Sequence, residues 1–254
     1  MSFRDAFQPY IDNPEKYNDI VLFQDENVII IKDVYPKAIR HLLVIPRNPD
    51  VSKKHPLDAF NTNYPEYSGE ELYQLIVGYV DRAKDIIIDD LSKKFNIESM
   101  AEFRNTFIKA GVHSIPSLNN LHIHVITQDF NSPRLKNKKH YNSFTTKFFV
   151  PFEQLNPLFN EKYYQLNKDQ DSNYDSDSDY NSDDEDDEDK PSFIRHVRLK
   201  SALLDILSNT PYTCPSCDLT FGNSMVKLKE HLQQEYTKKF KQFGDPNLLS
   251  PNNF

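Results

Sequence analysis

Between Asp169 and Asp189 the chain carries twelve acidic residues and neither a lysine nor an arginine, interleaved with serine and asparagine. Such a stretch cannot bury enough apolar surface to offset the entropy lost on ordering. It is expected to be an acidic, disordered linker at 167–191 between the two regions of the 254-residue chain. The same run hides the charge balance of the remainder. The formal net charge is −8, yet without the run 30 basic residues face 26 acidic ones (38 less 12), an excess of +4. A mildly basic body suits a polyanion-binding protein. No stretch approaches the ~20 apolar residues of a membrane span. Met1-Ser2-Phe3-Arg4-Asp5 lacks the apolar region of a secretory signal, so a soluble intracellular protein is expected.

Ahead of the linker, Ile20 to Phe23, Val28 to Ile31 and Leu42 to Ile45 are short, rich in β-branched residues and bounded by Asp, Asn or Pro. That pattern predicts strands, with a hairpin at Asp25-Glu26-Asn27. Ser68 and Glu71 have capping-box spacing. Behind them Leu72, Ile76, Val80, Ala83, Ile87 and Leu91 recur at helical period, which predicts one long amphipathic helix. Thr106 to His113 and Leu121 to Thr127 read again as strands. Strands around a helix with antiparallel connections give an α+β domain over residues 1–150. A connecting segment at 151–166 leads to the linker, and a second, small domain occupies 192–254.

In Asn120-Leu121-His122-Ile123-His124-Val125 the period of a strand sends Leu121, Ile123 and Val125 to a core and both histidines to the other face, with Cα atoms about 6.5–7 Å apart. Two imidazoles on one rigid surface can handle one phosphate, one attacking and the other donating hydrogen bonds. The residues alone leave two other readings open: a half-exposed strand that happens to carry two histidines, and a metal site built from His113, His122 and His124.

Cys214 and Cys217 are the only cysteines. Thirteen residues follow before His231 and three more before Glu235. Lys227 to Tyr236 reads as a helix, so His231 and Glu235 share a face. Two thiolates from a knuckle and two groups from a helix make a four-coordinate zinc site, with Phe221 and Leu228 as the core of a small ββα unit. A coincidental Cys-x-x-Cys and a redox pair are the alternatives.

The run from Gly111-Val112-His113 through Gln128-Asp129-Phe130, its continuation Ser132-Pro133-Arg134-Leu135-Lys136, and the upstream Asp33-Val34-Tyr35-Pro36-Lys37 and His41-Leu42-Leu43-Val44-Ile45-Pro46 resemble the histidine-triad family in its aprataxin branch. The finger is similar to the Cys-Cys-His-Glu finger of the fungal type. The resemblance implies a histidine-triad domain, an antiparallel sheet with helices, followed by a zinc-finger DNA-binding domain. It implies that His122 attacks the α-phosphorus of an adenylate, that His124 and Ser117 bind the phosphate, that His113 assists the leaving group and that Asp33 holds the ribose. Phe3, Lys37, Lys136 and Ser143 would approach DNA. One departure is Asn120, where the family's first triad histidine stands; His113 would cover the missing role.

The function implied is hydrolysis of 5′-adenylated DNA ends, nicked or double-stranded, to AMP and a repairable 5′-phosphate, by a nuclear (or cytoplasmic) monomer with no membrane partner. One zinc ion would be structural and none would enter the chemistry. Two alternatives stand beside it: a phosphoramidase or dinucleotide hydrolase acting on small molecules, and an inactive zinc-finger DNA-binding module.

Overall fold

A computed structural model of the chain describes residues 2–94, 97, 99–158 and 200–241. The acidic segment at 167–191 lies outside the described residues, as do 159–166, 192–199 and 242–254.

Six strands form one wholly antiparallel sheet. They are β1 (Val21–Gln24), β2 (Val28–Lys32), β3 (His41–Pro46), β4 (Ile108–His113), β5 (Ile123–Thr127) and β6 (Phe149–Pro151), in the order β1-β2-β3-β5-β4-β6. The β1–β2 hairpin turns at Asp25, whose carboxylate accepts from the Asn27 and Val28 amides at 2.9 Å each. Strand β5 lies inside the sheet, between β3 and β4, so both its edges are hydrogen-bonded.

Helix α3 (Gly69–Ser92) covers one face of the sheet; the short helices α1 (Gln8–Asp12) and α2 (Pro49–Ser52) precede it. The predicted capping box is complete. The Ser68 hydroxyl accepts from the Glu71 amide, and the Glu71 carboxylate accepts from the Ser68 amide at 2.8 Å. All six apolar residues of the expected stripe are buried in the core, against Val28, Ile30, Leu42, Val44, Ala110, Val112, Ile123 and Val125 of the sheet. A buried ion pair fastens the helix to the sheet: the Arg40 guanidinium, with no exposed surface, meets Asp90 at 2.6 Å. Strand β4 begins at Ile108, not Thr106, because Thr106 and Phe107 end helix α4 (Met100–Phe107), capped by Ser99.

The other face of the sheet is covered too. At one end Ile29, Ile31, Leu43 and Ile45 pack against Ile11, with Phe7 and Tyr10 beside them. At the other end Ile126 packs with Phe144 of helix α5 (Lys138–Thr145) and with Tyr212, Leu228 and Leu232. Those last three belong to a second group of elements: α6 (Lys200–Asn209), the hairpin of β7 (Tyr212–Thr213) and β8 (Thr220–Gly222), and α7 (Met225–Lys241). Phe221 and Leu228 help form the finger's core, as expected, but that core is continuous with the sheet's. Leu203, Leu207, Tyr236 and Phe240 join the principal core as well. No helix among the described residues is long and apolar enough to cross a membrane.

Two glycines of α3 give one substitution opposite signs. A Cβ at Gly69 would stand 2.1 Å from the Phe60 carbonyl oxygen, whereas one at Gly78 meets nothing within 4 Å. Gly69→Ala should destabilise by about 2 kcal/mol or more through backbone displacement, and Gly78→Ala should stabilise by about 0.5–1 kcal/mol through helix propensity. Urea midpoints of the two variants check the pair; equal shifts would contradict this packing.

Candidate active site

Strand β5 begins at Ile123, not Leu121, so His124 lies on the strand and His122 just before it, while Leu121, Ile123 and Val125 enter the core. Register then adds a third imidazole. Gly111 of β4 pairs with His124, so His113, two residues on, lies on the same face. Its ring centroid is 4.4 Å from that of His124, and the His122 centroid is 5.0 Å from His124. Gly111 is needed beside His124, since a Cβ there would stand 2.4 Å from the Val150 carbonyl and 2.7 Å from the Phe149 ring.

A fourth imidazole was seen in the sequence only as part of a family match. His41 opens β3, and its Nε2 lies 2.9 Å from His124 Nδ1, a hydrogen bond between buried rings. The signal was available: His41 is the polar member of the alternating set His41, Leu43, Ile45. Asp33 stands behind it, with Oδ2 3.3 Å from His41 Nδ1, while the Lys37 amide donates to the same nitrogen at 3.4 Å.

Partners assign part of the protonation. His122 Nδ1 lies 2.7 Å from the Asn120 carbonyl oxygen, which can only accept. The proton therefore sits on Nδ1, and Nε2 keeps its lone pair. Asn120 binds its neighbours through its amide, which donates to Ser52 Oγ at 3.0 Å and Gln8 Oε1 at 3.3 Å. The Nε2 atoms of His113 and His124 are buried without a hydrogen-bond partner. Buried nitrogens of that kind are costly unless a ligand completes them.

Burial holds all four rings neutral. Desolvation lowers the pKa of His122, lowers those of His113 and His124 well below the usual imidazole value, and pushes His41 down to about 4. The other imidazoles and Lys37 add repulsion at His41, His113 and His124; Asp33 opposes it at His41 and His122.

The remaining expected residues are placed less uniformly. Ser117 is exposed in the loop between β4 and β5. Phe3 is 79% exposed, in a turn tied to the histidine loop by the Asn119 amide donating to the Arg4 carbonyl at 2.8 Å. Lys37 is half-buried and donates through Nζ to the Tyr35 carbonyl, and burial lowers its pKa. Lys136 is exposed, while Ser143 is buried and donates its hydroxyl to the His140 carbonyl at 3.2 Å. His113, His122 and His124 do not form a metal-spaced group among the described residues. Asp33, His41 and His124 do, and within that group His41 Nε2 lies in a hydrogen bond with His124 Nδ1.

In the finger, Cys214, Cys217, His231 and Glu235 offer one ligand atom each, all within 4.8 Å of one another. Cys214 Sγ lies 3.2 Å from Glu235 Oε2, Cys217 Sγ 3.3 Å from His231 Nε2, and His231 Nε2 3.2 Å from Glu235 Oε1. Those separations fit a tetrahedral site, whose edges are about 3.3–3.8 Å for bonds of about 2.0–2.3 Å. The Ser216 amide points at Cys214 Sγ (3.4 Å), as a thiolate would require. The four residues fit a structural zinc ion.

Comparison with known proteins agrees with both halves. The family model "Scavenger mRNA decapping enzyme C-term binding" matches residues 4–140, and "C2HE / C2H2 / C2HC zinc-binding finger" matches 145–238. An aprataxin-like protein of Saccharomyces cerevisiae is 34% identical over 253 residues, covering 94% of this chain and 99% of that protein. The chain belongs to the aprataxin-like family. A second aprataxin-like relative, from Schizosaccharomyces pombe, is 31% identical and covers 92% of this chain and 82% of its own. The crystal structure of the aprataxin ortholog Hnt3 in complex with DNA superposes with a TM-score of 0.69 at 29% identity, covering 95% of this chain and 98% of that one.

The neutral histidines carry a pH signature. A pKa depressed on folding leaves stability whole above the unfolded value of about 6.5 and lowers it as pH falls toward the folded value. His41 alone should then cost about 3 kcal/mol by pH 4. Imidazole proton resonances followed by NMR, beside urea midpoints at each pH, test this; ordinary titration of all four rings near 6.5 would contradict it.

Proposed function

We propose that this chain hydrolyses the adenylate from 5′-adenylated DNA ends, in the repair of strand breaks left by abortive ligation. The observation that carries the proposal is His122 with its proton held on Nδ1 by the Asn120 carbonyl, beside two buried Nε2 atoms that lack partners. The Hnt3 relatives crystallised with DNA supply the class of substrate.

In this reading the His122 Nε2 lone pair forms a bond to the α-phosphorus of the adenylate. The bond from that phosphorus to the bridging oxygen breaks, and the DNA 5′-phosphate leaves with the electron pair. Water then attacks the adenylyl-histidine, releasing AMP and restoring His122. His113 is positioned beside His124 to steady the leaving phosphate with an N–H, since as a neutral ring it donates a hydrogen bond rather than a full proton. Neutrality of His122 at physiological pH is what burial secures.

Asp33 has two duties in this scheme. With the ribose hydroxyls absent, its carboxylate competes with the Lys37 amide for His41 Nδ1. Once the ribose takes the carboxylate, His41 Nδ1 accepts from Lys37, and Nε2–H donates to His124 Nδ1. The His124 proton then lies on Nε2, aimed at a phosphate oxygen. Ribose binding thereby selects the donor form of His124, and charge developing on phosphorus meets a dipole already oriented. Ser117 lies in the loop that would close over the phosphate. Phe3 supplies an exposed ring for stacking on the terminal base pair, which requires no sequence, and in this reading Lys37, Lys136 and Ser143 serve the DNA backbone. The protein would act as a nuclear monomer.

His122→Ala should abolish turnover of an adenylated nicked duplex and of a small adenylated compound alike. His113→Ala should slow both by about a hundredfold or more and let adenylyl-enzyme or bound substrate accumulate. Single-turnover assays with radiolabelled adenylate resolve the steps. Near-normal deadenylation by His122→Ala would overturn the mechanism, and turnover of the small compound without the DNA would overturn the substrate.

A further inference from the structure

Helix α5 joins the two halves of the molecule, and its buried side chains carry different loads. Toward the finger, Tyr141 is fully buried and its hydroxyl donates to the Thr213 carbonyl at 3.0 Å, next to the ligand Cys214. Asn142 is 1% exposed, and its amide donates to the carbonyls of Leu207 at 3.2 Å and Thr210 at 3.0 Å, at the end of α6. Toward the sheet, one turn along from Tyr141, Phe144 sets its ring against three imidazoles. Centroid distances are 4.7 Å to His113, 5.2 Å to His124 and 5.3 Å to His41, with interplanar angles of 60°, 86° and 90°. Phe144, Phe149 and the knuckle residue Pro215 line one cleft.

We infer that Phe144 is a positioning residue for the histidine cluster and that the finger, acting through Tyr141 and Asn142, holds it there. This rests on the histidines being the reacting groups. Eight residues do not make a stable helix by themselves, so α5 stands where its tertiary contacts place it. The contacts on one side belong to a finger whose folding energy comes largely from its metal. Without that side α5 can relax, and Phe144 with it. Three imidazoles would lose both an aromatic wall that fixes their orientation and part of the apolar cover that excludes water. The finger would then matter for turnover of a substrate too small to touch it.

The groups facing His41, His113 and His124 are one another, His122, Asp33 and Lys37. Phe144 adds no charge, so removing its ring acts through solvation and orientation alone. Admitting water raises a depressed imidazole pKa back toward 6.5.

The test uses the full chain with three disrupting substitutions, Phe144→Leu, Asn142→Ala at the junction and Cys214→Ser at the metal site, and with Phe144→Tyr as the conservative control. With a small adenylated compound such as adenosine phosphoramidate, kcat should fall about tenfold or more in Phe144→Leu while KM stays within about twofold. Asn142→Ala and Cys214→Ser should lower kcat in the same sense. In all three the NMR titration of His41, His113 and His124 should move toward 6.5, with Phe144→Tyr restoring the wild-type midpoints. Wild-type kcat and imidazole midpoints in Phe144→Leu would overturn the inference. So would losses in Asn142→Ala and Cys214→Ser confined to DNA substrates with the imidazole titration unchanged. If wild type processes neither substrate the proposed function fails, and the imidazole titration still decides the role of Phe144.

Discussion

Four imidazoles withdrawn from water on one face of a sheet are the constraint around which the other elements are arranged. Each ring is kept uncharged by desolvation, and desolvation requires cover from every direction. The strands supply the floor, with His41, His113 and His124 brought together by register across β3, β5 and β4. Phe7, near the N-terminus, closes one flank with its ring centroid 5.1 Å from that of His122, and Phe144 closes the other. The cluster thus sits between two apolar patches on the same face. A site built this way keeps its imidazoles neutral at physiological pH.

That arrangement changes what the finger is. A zinc finger joined by a long linker suggests an independent module, yet Tyr212, Leu228 and Leu232 share a core with Ile126 and Phe144, and Phe240 lies edge-on to Phe107 at 5.6 Å. The finger completes the covering of the sheet as well as presenting its own surface. Metal ligation at one edge and imidazole burial at the other are separated by the width of one short helix.

Several elements were legible because their signals are local. The capping box at Ser68 and Glu71 and the stripe from Leu72 to Leu91 needed only a few residues of context each, as did the turn at Asp25. The Cys-Cys-His-Glu set was legible for the same reason, since a helix brings residues four apart to one face. Thr106 and Phe107 were misread because their strand-like composition is overridden by the Ser99 cap, which starts a helix that runs straight into β4. The hydrogen bond from His41 to His124 spans 83 positions, and no local pattern announces such a partner. The role of Phe144 was hidden likewise, since a phenylalanine on a short polar helix reads as ordinary core.

By itself the sequence determined the α+β class, the faces of the histidine strand, the ligands of the finger and, through motifs specific enough to name a family, the chemistry to expect. Those conclusions follow from periodicity and spacing, or from a signature tens of residues long, and they survive without knowledge of what lies opposite. Only the tertiary structure decided that both faces of the sheet are buried, that a fourth imidazole, His41, is hydrogen-bonded to His124, and that the finger's core is the sheet's. These are questions of what packs against what across distant segments. Desolvation, the largest cause of the lowered pKa values of His41, His113, His122 and His124, depends on that packing.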